Sequence, residues 1–341
     1  MPDPRPSAHD ERPREAGAGA TRQGAARAPL PTGGAQVIRS TDAAYRLIRP
    51  VTQGGTAVIH LAEREPAGGE VVIKIAREDV LKMRQIMAHL QREAALLGRL
   101  AHPHCVTLIS SGTWRGLPFL VLEHVEGEPL ARLCEGASLA PERAVTIARQ
   151  VLSALEHAHS RGVLHQDLKA DNIQVSRAGD GRDLATLLDF GAARATEVSR
   201  APDGRRPLPL LPDPEANGLI LGTPSVMAPE QIRLEAVDAR ADIYAAGILL
   251  YQLLVGRKPF AAADTQTLLR MQLFDAPVPP RRALGRARVS ADLEAVVLRA
   301  LRKDASARFD SCAAMASALA ETPEGRGRWR KRAARSLGPL A

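Results

Sequence analysis

Two short stretches place residues that could move a phosphoryl group close together in the chain. The first, His165–Asn172, reads H-Q-D-L-K-A-D-N and holds an Asp, a Lys and an Asn on one tight loop. The second, Asp189–Gly191, reads D-F-G and adds a carboxylate after an apolar run. Phosphoryl transfer needs an acceptor for a hydroxyl proton, a cation near the migrating group and oxygen ligands for Mg²⁺. The order and spacing of the two stretches therefore indicate this chemistry.

Upstream residues could complete a phosphate site. Lys74 ends an apolar run, and Glu93 follows nineteen residues later within a helix-like stretch. Thr52–Ala57 contains Gly54 and Gly55, where backbone N–H groups could approach phosphates. A Gly-Gly pair can equally mark a tight hairpin, and a lysine at a strand end is usually just solvated. These features are therefore informative only together with the two downstream stretches.

The composition is typical of a soluble globular protein. The 341 residues are 45% hydrophobic, which allows a large core or two lobes with tails. Cys105, Cys134 and Cys312 are widely spaced and form no metal or disulfide pattern, so we expect a reducing, cytoplasmic compartment. No apolar run reaches about 18 residues, and the N-terminus lacks an apolar segment. Neither a membrane span nor a secretory signal is predicted.

The net charge of +8 is concentrated near the C-terminus. Residues 322–341 hold six Arg or Lys and one Glu, which is five of the eight net positive charges. Such a tail could contact nucleic acid or an acidic lipid surface. A solvated, disordered tail explains the composition as well, and we favour that interpretation.

The apolar pattern divides the chain into a β-rich part and a helical part. Strands are expected at Tyr45–Ile48, Ala57–Ala62, Val71–Ile75, Val106–Ile109 and Phe119–Leu122. A helix is expected over about 80–100. After a break near Glu123–Glu126, Ile243–Val255 is typical of a buried helix, and Pro141–Ser160 is amphipathic. Its apolar stripe consists of Ala144, Ile147, Val151, Leu155 and His159 at helical spacing. Clefts between two such parts are common ligand sites.

Together these features resemble the protein kinase family, and most closely its bacterial Ser/Thr members of the eukaryotic-like type. Gly222–Glu230 reads G-T-P-S-V-M-A-P-E and resembles the end of a kinase activation segment. Lys169 together with Thr223 is the combination found in Ser/Thr kinases. The resemblance extends over about Tyr45–Ala320.

The resemblance implies an α+β, bilobal protein-kinase-like fold, with a small β-rich N-lobe containing one key helix and a larger α-helical C-lobe. The implied boundaries are a disordered Pro/Ala/Arg-rich tail at 1–42, the N-lobe at 43–123, the C-lobe at 124–320 and a basic tail at 321–341. A Pro-rich insert at about 200–218 would lengthen the activation segment.

The resemblance also implies roles for individual residues. Asp167 would accept the proton of the substrate hydroxyl, and Lys169 would steady the γ-phosphoryl group. Lys74, paired with Glu93, would contact the α- and β-phosphates. The Mg²⁺ ligands would be Asn172 and Asp189. The ATP-binding residues would be Thr52, Gly54, Gly55, Ala57, Ile59, Val72, Lys74, Glu123, Val125 and Gln174.

Other matching positions have structural roles in the family. Asp242 and Gly247 match the buried helix that anchors the catalytic loop. Arg308 matches the Arg that pairs with Glu230. His165 would be a packing residue and not a base.

The sequence departs from the family pattern at several positions. Gln166 stands where most members have an Arg that bridges to a phosphorylated activation loop, so we do not expect activation by loop phosphorylation. Of the three glycine-loop positions only Gly54 matches. Val72 and Gln174 alter the expected adenine pocket. These changes leave the affinity for the nucleotide open.

Three functions compete. The favoured one is a protein Ser/Thr kinase that uses ATP and Mg²⁺ on protein substrates. The second is a pseudokinase scaffold with weak nucleotide binding. The third, a small-molecule kinase of the aminoglycoside type, would lack the segment Ala228–Glu230.

Overall fold

The β-rich part of the chain is an antiparallel sheet of six strands. The computed structural model describes residues 36–53, 57–77, 84–195, 223–285 and 288–327, which belong to one compact unit. The strands are β1 (Val37–Arg39), β2 (Ala44–Gln53), β3 (Ala57–Glu65), β4 (Glu70–Ala76), β5 (Leu108–Trp114) and β6 (Leu117–Glu123). Their order across the sheet is β1-β2-β3-β4-β6-β5.

Alternation of side chains along β4 explains how the sheet supports a site. Val71, Ile73 and Ile75 are buried in an apolar cluster with residues of β1 and β2 on one face of the sheet. Because successive side chains of a strand point to opposite faces, Val72 and Lys74 lie on the other face. There Val72 packs against the main core, which continues into the helical part.

The first strand corrects the predicted extent of the N-terminal tail. The tail was expected to reach residue 42, but Val37–Arg39 pairs with β2, and Ile38 is fully buried. Two apolar residues suffice for an edge strand when the sheet already exists, and the Pro- and Ala-rich composition around them conceals this signal. Residues 1–35, the greater part of the predicted tail, lie outside the described residues.

A second difference concerns the strand expected at Val106–Ile109. The strand begins at Leu108, because the backbone N–H of Val106 donates to the carbonyl of Leu187 at 2.9 Å and not to a strand of the six-stranded sheet. The chain therefore crosses to the helical part before it enters the sheet. Helix α1 (Arg84–Leu97) packs on the sheet within the predicted stretch of 80–100, of which 78–83 lie outside the described residues.

The helical part is built around two long helices. The main helices are α2 (Leu130–Leu133), α3 (Pro141–Ser160), α4 (Pro229–Ile232), α5 (Ala239–Val255), α6 (Thr265–Phe274), α7 (Pro280–Leu284), α8 (Ala291–Ala300) and α9 (Cys312–Glu321). α3 has the predicted bounds and buries Ala144, Ile147, Val151 and Leu155 of the predicted stripe, whereas His159 is partly exposed. α5 is buried along most of its length, as its continuous apolar sequence predicts.

Short strands border the space between the two parts. They are β7 (Glu128–Pro129), β8 (Val163–Leu164), β9 (Ile173–Arg177), β10 (Asp183–Leu187) and β11 (Arg194–Ala195). β9 pairs with both β10 and β7, and β8 pairs with β11. The predicted bilobal α+β fold is confirmed, and we call the sheet with α1 the N-lobe and the helical part the C-lobe.

The start of the predicted C-terminal tail is also corrected. The tail was expected at 321–341, but Thr322 and Glu324 are buried. The Glu324 carboxylate accepts hydrogen bonds from the N–H and the hydroxyl of Ser290, at 2.8 and 2.7 Å, where α8 begins. A composition-based boundary cannot detect this long-range pairing. Residues 328–341 lie outside the described residues. Among the described helices, none has the length and apolarity needed to cross a membrane.

Candidate active site

The loop that follows β8 is held from below by one carboxylate of α5. Asp242 accepts hydrogen bonds from the backbone N–H groups of His165 and Gln166, both at 2.8 Å, and from Nε2 of His159 at 2.7 Å. Gln166 has a φ of 64°, a left-handed conformation that is unfavourable for a non-glycine residue. The two hydrogen bonds to Asp242 stabilise this turn and thereby aim Asp167 outward.

Burial and hydrogen bonding compete at Asp242. Its burial acts to raise the pKa of the carboxyl group, but the hydrogen bonds from His159 and from the backbone N–H of His165 outweigh this effect. The pKa of Asp242 therefore lies below its ordinary value, and the carboxylate remains charged and able to accept all three donors.

Asp167, Lys169 and Thr223 form the first group of candidate catalytic side chains. Nζ of Lys169 lies 2.7 Å from Oδ2 of Asp167 and 2.7 Å from Oγ1 of Thr223. The backbone N–H of Thr223 donates to Oδ1 of Asp167 at 2.8 Å. Both carboxylate oxygens are therefore oriented by donors. The arrangement places a proton acceptor and a cation side by side, as a phosphoryl transfer to a hydroxyl requires.

Lys74, Glu93 and Asp189 form the second group, which links the two lobes. Nζ of Lys74 donates to both oxygens of Glu93, at 2.8 and 2.9 Å, and to Oδ1 of Asp189 at 2.9 Å. The side chain of Glu93 is 1% exposed, whereas that of Asp189 is 45% exposed. One ammonium thus joins a buried carboxylate on α1 to a carboxylate that is open toward the cleft.

The pKa values in this group follow from burial and from the shared ammonium. Burial disfavours the charged form of Lys74, but Glu93 and Asp189 outweigh it and hold the pKa of the ammonium above its ordinary value. Burial raises the pKa of the Glu93 carboxyl, against the opposing effect of Lys74. Desolvation also acts on Asp189, yet Lys74 and the N–H of Gly191 hold its pKa below the ordinary range.

Two oxygen-bearing side chains could hold a divalent metal. The amide of Asn172 donates from Nδ2 to the carbonyl of Asp167 at 3.0 Å, which leaves its oxygen free to act as a ligand. Asp189 is ionised and open to the cleft. In the described residues no group of three or more His, Cys, Asp or Glu side chains could hold a metal. Two protein ligands suit Mg²⁺, which commonly takes its remaining ligands from water and phosphates.

Several of the predicted nucleotide-binding residues lie on neighbouring strands of the N-lobe sheet. Ile59 on β3 is paired with Lys74, and Val72 is paired with Leu122 of β6. Val72 and Val125 both pack against the main core while remaining partly exposed. Because directly paired residues and alternate residues of a strand share a face, Ile59, Val72 and Lys74 lie on one face of the sheet.

Other predicted nucleotide contacts differ in their surroundings. Ala57 is buried at the start of β3, whereas Thr52 near the end of β2 is exposed. The carboxylate of Glu123 accepts a hydrogen bond from the N–H of Thr107 at 2.8 Å, and the backbone N–H of Glu123 donates to the carbonyl of Thr107 at 3.0 Å. Gln174 lies on β9 opposite Pro129. Gly54 and Gly55 lie outside the described residues, as does the insert at 200–218.

The predicted structural positions make the expected contacts. Arg308 forms two hydrogen bonds with the Glu230 carboxylate, at 2.6 and 2.8 Å, and its side chain is fully buried. A Cβ on Gly247 would lie 2.9 Å from Cβ of Ala300, so α5 and α8 can pack this closely only with glycine there. The rings of His165 and Phe190 pack with their centroids 4.9 Å apart, and burial lowers the pKa of His165.

Sequence reasoning missed two residues near the site. His159 was recognised only as part of the helical stripe, although it also holds Asp242. Lys258, in the loop after α5, donates to Oγ of Ser225 at 2.6 Å, two residues beyond Thr223. No local pattern could have revealed this contact, because 33 residues separate the two side chains.

A two-lobed fold with these paired charges in its cleft defines a phosphotransferase architecture, and comparison with known proteins specifies the family. Residues 45–319 match the model of the protein kinase domain, and the chain belongs to this family.

Several bacterial proteins are similar over most of the chain. It is 34% identical over 279 residues to the serine/threonine-protein kinase pkn2 of Myxococcus xanthus, covering 82% of this chain and 32% of the relative. Identity to pkn3 of the same organism is 35% over 277 residues, covering 81% and 49%. Identity to PknB of Mycolicibacterium smegmatis is 32% over 286 residues, covering 82% and 43%. The chain thus spans from about a third to half of the length of these relatives.

Proposed function

We propose that this chain is a protein serine/threonine kinase, which transfers the γ-phosphoryl group of ATP to Ser or Thr hydroxyls of protein substrates in the presence of Mg²⁺. The observation that carries the proposal is the contact of one ammonium, that of Lys169, with both the Asp167 carboxylate and the Thr223 hydroxyl. The names of the relatives support the same activity.

Asp167 would accept or orient the proton of the incoming hydroxyl. Its carboxylate is fixed by the N–H of Thr223 and by Lys169, so it does not have to reorganise when a substrate arrives. Lys169 would stabilise the negative charge that develops on the transferred group. Thr223 connects these two residues to the end of the activation segment, where a peptide substrate would lie.

Lys74 would position the α- and β-phosphates, with Glu93 fixing the direction of its side chain. Asn172 and Asp189 would hold Mg²⁺, which when bound neutralises charge on the phosphate oxygens. The base would lie between Ile59, Val72 and Val125 above and Gln174 below. Gln174 offers a polar surface there, and its amide could hydrogen-bond the base or a water molecule.

The pseudokinase alternative predicts the loss of at least one of these groups. All of these groups are present: Lys74 donates to Glu93 and to Asp189, and Lys169 separately donates to Asp167. A small-molecule kinase of the aminoglycoside type would lack the Ala228–Glu230 segment, whose Glu230 is firmly paired here. Both alternatives are therefore less consistent with the site than protein kinase activity.

The proposal is tested with purified protein, labelled ATP, Mg²⁺ and a mixture of Ser/Thr peptides. Replacement of Asp167 by Asn should lower turnover by about 10² to 10⁴, the usual contribution of such a group. Nucleotide binding, measured by fluorescence with an ATP analogue, should remain near that of the wild type, because the proposed role of Asp167 is at the reacting hydroxyl.

An exposed carboxylate provides the matched control for this variant. Asp180 lies on the turn between β9 and β10, and Asp180→Asn makes the same chemical change away from the cleft. It should leave turnover unchanged. A wild-type protein that binds the analogue but transfers no phosphate would support the pseudokinase alternative. An Asp167→Asn protein with more than half of the wild-type turnover would remove Asp167 from the mechanism.

A further inference from the structure

Lys258 lies beside the candidate transfer site, and no carboxylate among the described residues forms an ion pair with it. Gly256 ends α5 with a φ of 79°, and a Cβ there would approach the backbone of Ala137 at 3.0 Å, so the chain turns tightly at this point. The turn directs Lys258 back to the activation segment, where it donates to Oγ of Ser225 at 2.6 Å. Ser225 in turn lies two residues from Thr223, which contacts both Asp167 and Lys169.

The charges around Lys258 are unbalanced. No carboxylate of the described residues lies within ion-pair distance of its ammonium, and burial lowers its pKa despite attraction from Asp171 and Asp167. Lys169 adds repulsion. A partly buried cation without a counter-ion is energetically unfavourable, and a carboxylate supplied by a binding partner would remove this penalty.

We propose that Lys258 selects protein substrates that carry an Asp or Glu close to the phosphorylated Ser or Thr. The inference rests on the proposed kinase function, because the hydroxyl must reach Asp167. An extended peptide advances about 3.3 Å per residue, so a carboxylate within a few positions of the acceptor can reach Lys258. Ser225 holds the ammonium in place, which reduces the entropy lost when the ion pair forms.

Asp171 is the competing feature on the same surface. It is exposed and follows Lys169 by two residues in the catalytic loop, so it could attract a basic substrate residue. Its carboxylate is solvated, whereas the ammonium of Lys258 is partly withdrawn from water. Charge pairs gain more where the surroundings are less polar, so Lys258 should be the stronger determinant.

The test uses a set of Ser/Thr peptides in which Ala, Glu or Lys occupies each position within four residues of the acceptor. For wild type, kcat/KM for the best Glu position should exceed that for Ala by about fivefold or more, as expected for a moderately buried ion pair. In Lys258→Gln the ratio of Glu to Ala should fall close to one. In Lys258→Glu it should favour Lys at the same position. Arg257→Gln, the exposed neighbouring cation, should retain the wild-type ratio.

Peptide binding, measured by fluorescence anisotropy with a non-hydrolysable ATP analogue, separates this inference from the kinase proposal. A Glu preference in binding that depends on Lys258, without transfer to any peptide, would support the inference and contradict kinase activity. Equal binding and equal transfer of Glu and Ala peptides would overturn the inference. A Glu preference that survives in Lys258→Gln, or a preference of the wild type for Lys, would also overturn it.

Discussion

Among the individual residues, Lys74 connects the two lobes directly. Its ammonium touches both oxygens of Glu93 and one of Asp189, so it joins α1 in the N-lobe to the D-F-G stretch of the C-lobe. Loss of either Lys74 or Glu93 removes the same ion pair. The effects of the two changes on catalysis should therefore overlap and not add.

We predict that Lys74→Met and Glu93→Gln each lower kcat/KM. The kcat/KM of the double variant should be only slightly below that of the less active single variant. The measurement is a double-mutant cycle on kcat/KM. Arg46→Met with Glu63→Gln, an exposed ion pair on the same sheet, is the control and should change little. Fully additive losses at Lys74 and Glu93 would show that the pair does not act as a unit.

A second prediction about a single residue concerns Gln166. Its backbone is held by Asp242, but its neutral side chain cannot form a bidentate ion pair with a phosphate group. Phosphatase-treated protein should therefore begin turnover without a lag, and Thr196→Ala with Ser199→Ala should keep a near-normal rate. Both hydroxyls lie outside the described residues. A lag that disappears after preincubation with ATP, and that the double Ala variant lacks, would contradict this prediction.

Among the elements, α3 and α5 position the loop that carries Asp167. α5 supplies Asp242 below the catalytic loop, and α3 supplies His159 to the same carboxylate. α3 also holds the segment that follows α1. Nε2 of His157 accepts a hydrogen bond from the N–H of Ala101 at 3.1 Å, and His102 contacts Ser153 at 3.1 Å. The helix that carries Glu93 is thus anchored to the C-lobe by neutral histidines.

Protonation should weaken this anchor. Nε2 of His157 and Nδ1 of His102 both act as acceptors, for Ala101 and His104 respectively, and a protonated imidazole cannot accept. Burial is the main cause that lowers the pKa of His102, His104 and His157, and the nearby Arg161 adds repulsion at His102 and His157. The unfolded chain therefore binds more protons than the folded one below about pH 6.5.

We predict that the free energy of unfolding falls as the pH is lowered from about 6.5 toward the depressed pKa values. Above about pH 6.5 these three histidines should not make the free energy of unfolding depend on pH. Gln at position 157 can accept from Ala101 but does not titrate, so His157→Gln should lose less thermal stability than wild type between pH 7.5 and 5.5. An equal loss of Tm in both proteins would exclude His157 as a contributor.

In the whole molecule, Arg308 connects distant parts of the C-lobe. Besides Glu230, its guanidinium donates to the carbonyls of Arg240, Arg302 and Lys303. It also lies 4.9 Å from the centroid of the Tyr244 ring. The end of the activation segment, the start of α5 and the segment before Arg308 are therefore held by one buried side chain.

We predict that Arg308→Ala lowers the free energy of unfolding by about 3–5 kcal/mol, because it leaves the Glu230 carboxylate buried without a partner. Urea unfolding at neutral pH measures this change. Arg308→Lys should be intermediate, since it keeps the charge but loses the two-pronged geometry. Arg182→Ala, which removes an exposed partner of Asp180, is the control. A loss in Arg308→Ala no larger than in the control would show that the buried pair contributes little.

The sequence by itself indicated the candidate chemistry and predicted the longest regular elements. His165–Asn172 and Asp189–Gly191 are short, so the spacing of their side chains follows from local geometry and can be recognised in the sequence. The periodicity of α3 gave its bounds, and the continuous apolar run predicted the buried α5. Periodicity and local propensity act over a few residues, which explains why such elements can be recognised without a structure.

Only the tertiary structure decided which distant residues meet. Lys169 and Thr223 are 54 residues apart, Glu230 and Arg308 are 78 apart, and Lys258 reaches Ser225 across 33. The resemblance to kinases suggested the first two pairs, but Lys258 left no local signal. The edge strand Val37–Arg39 was also hidden, because it exists only through pairing with β2. Such contacts depend on how the chain crosses itself, and no pattern within a short window encodes that path.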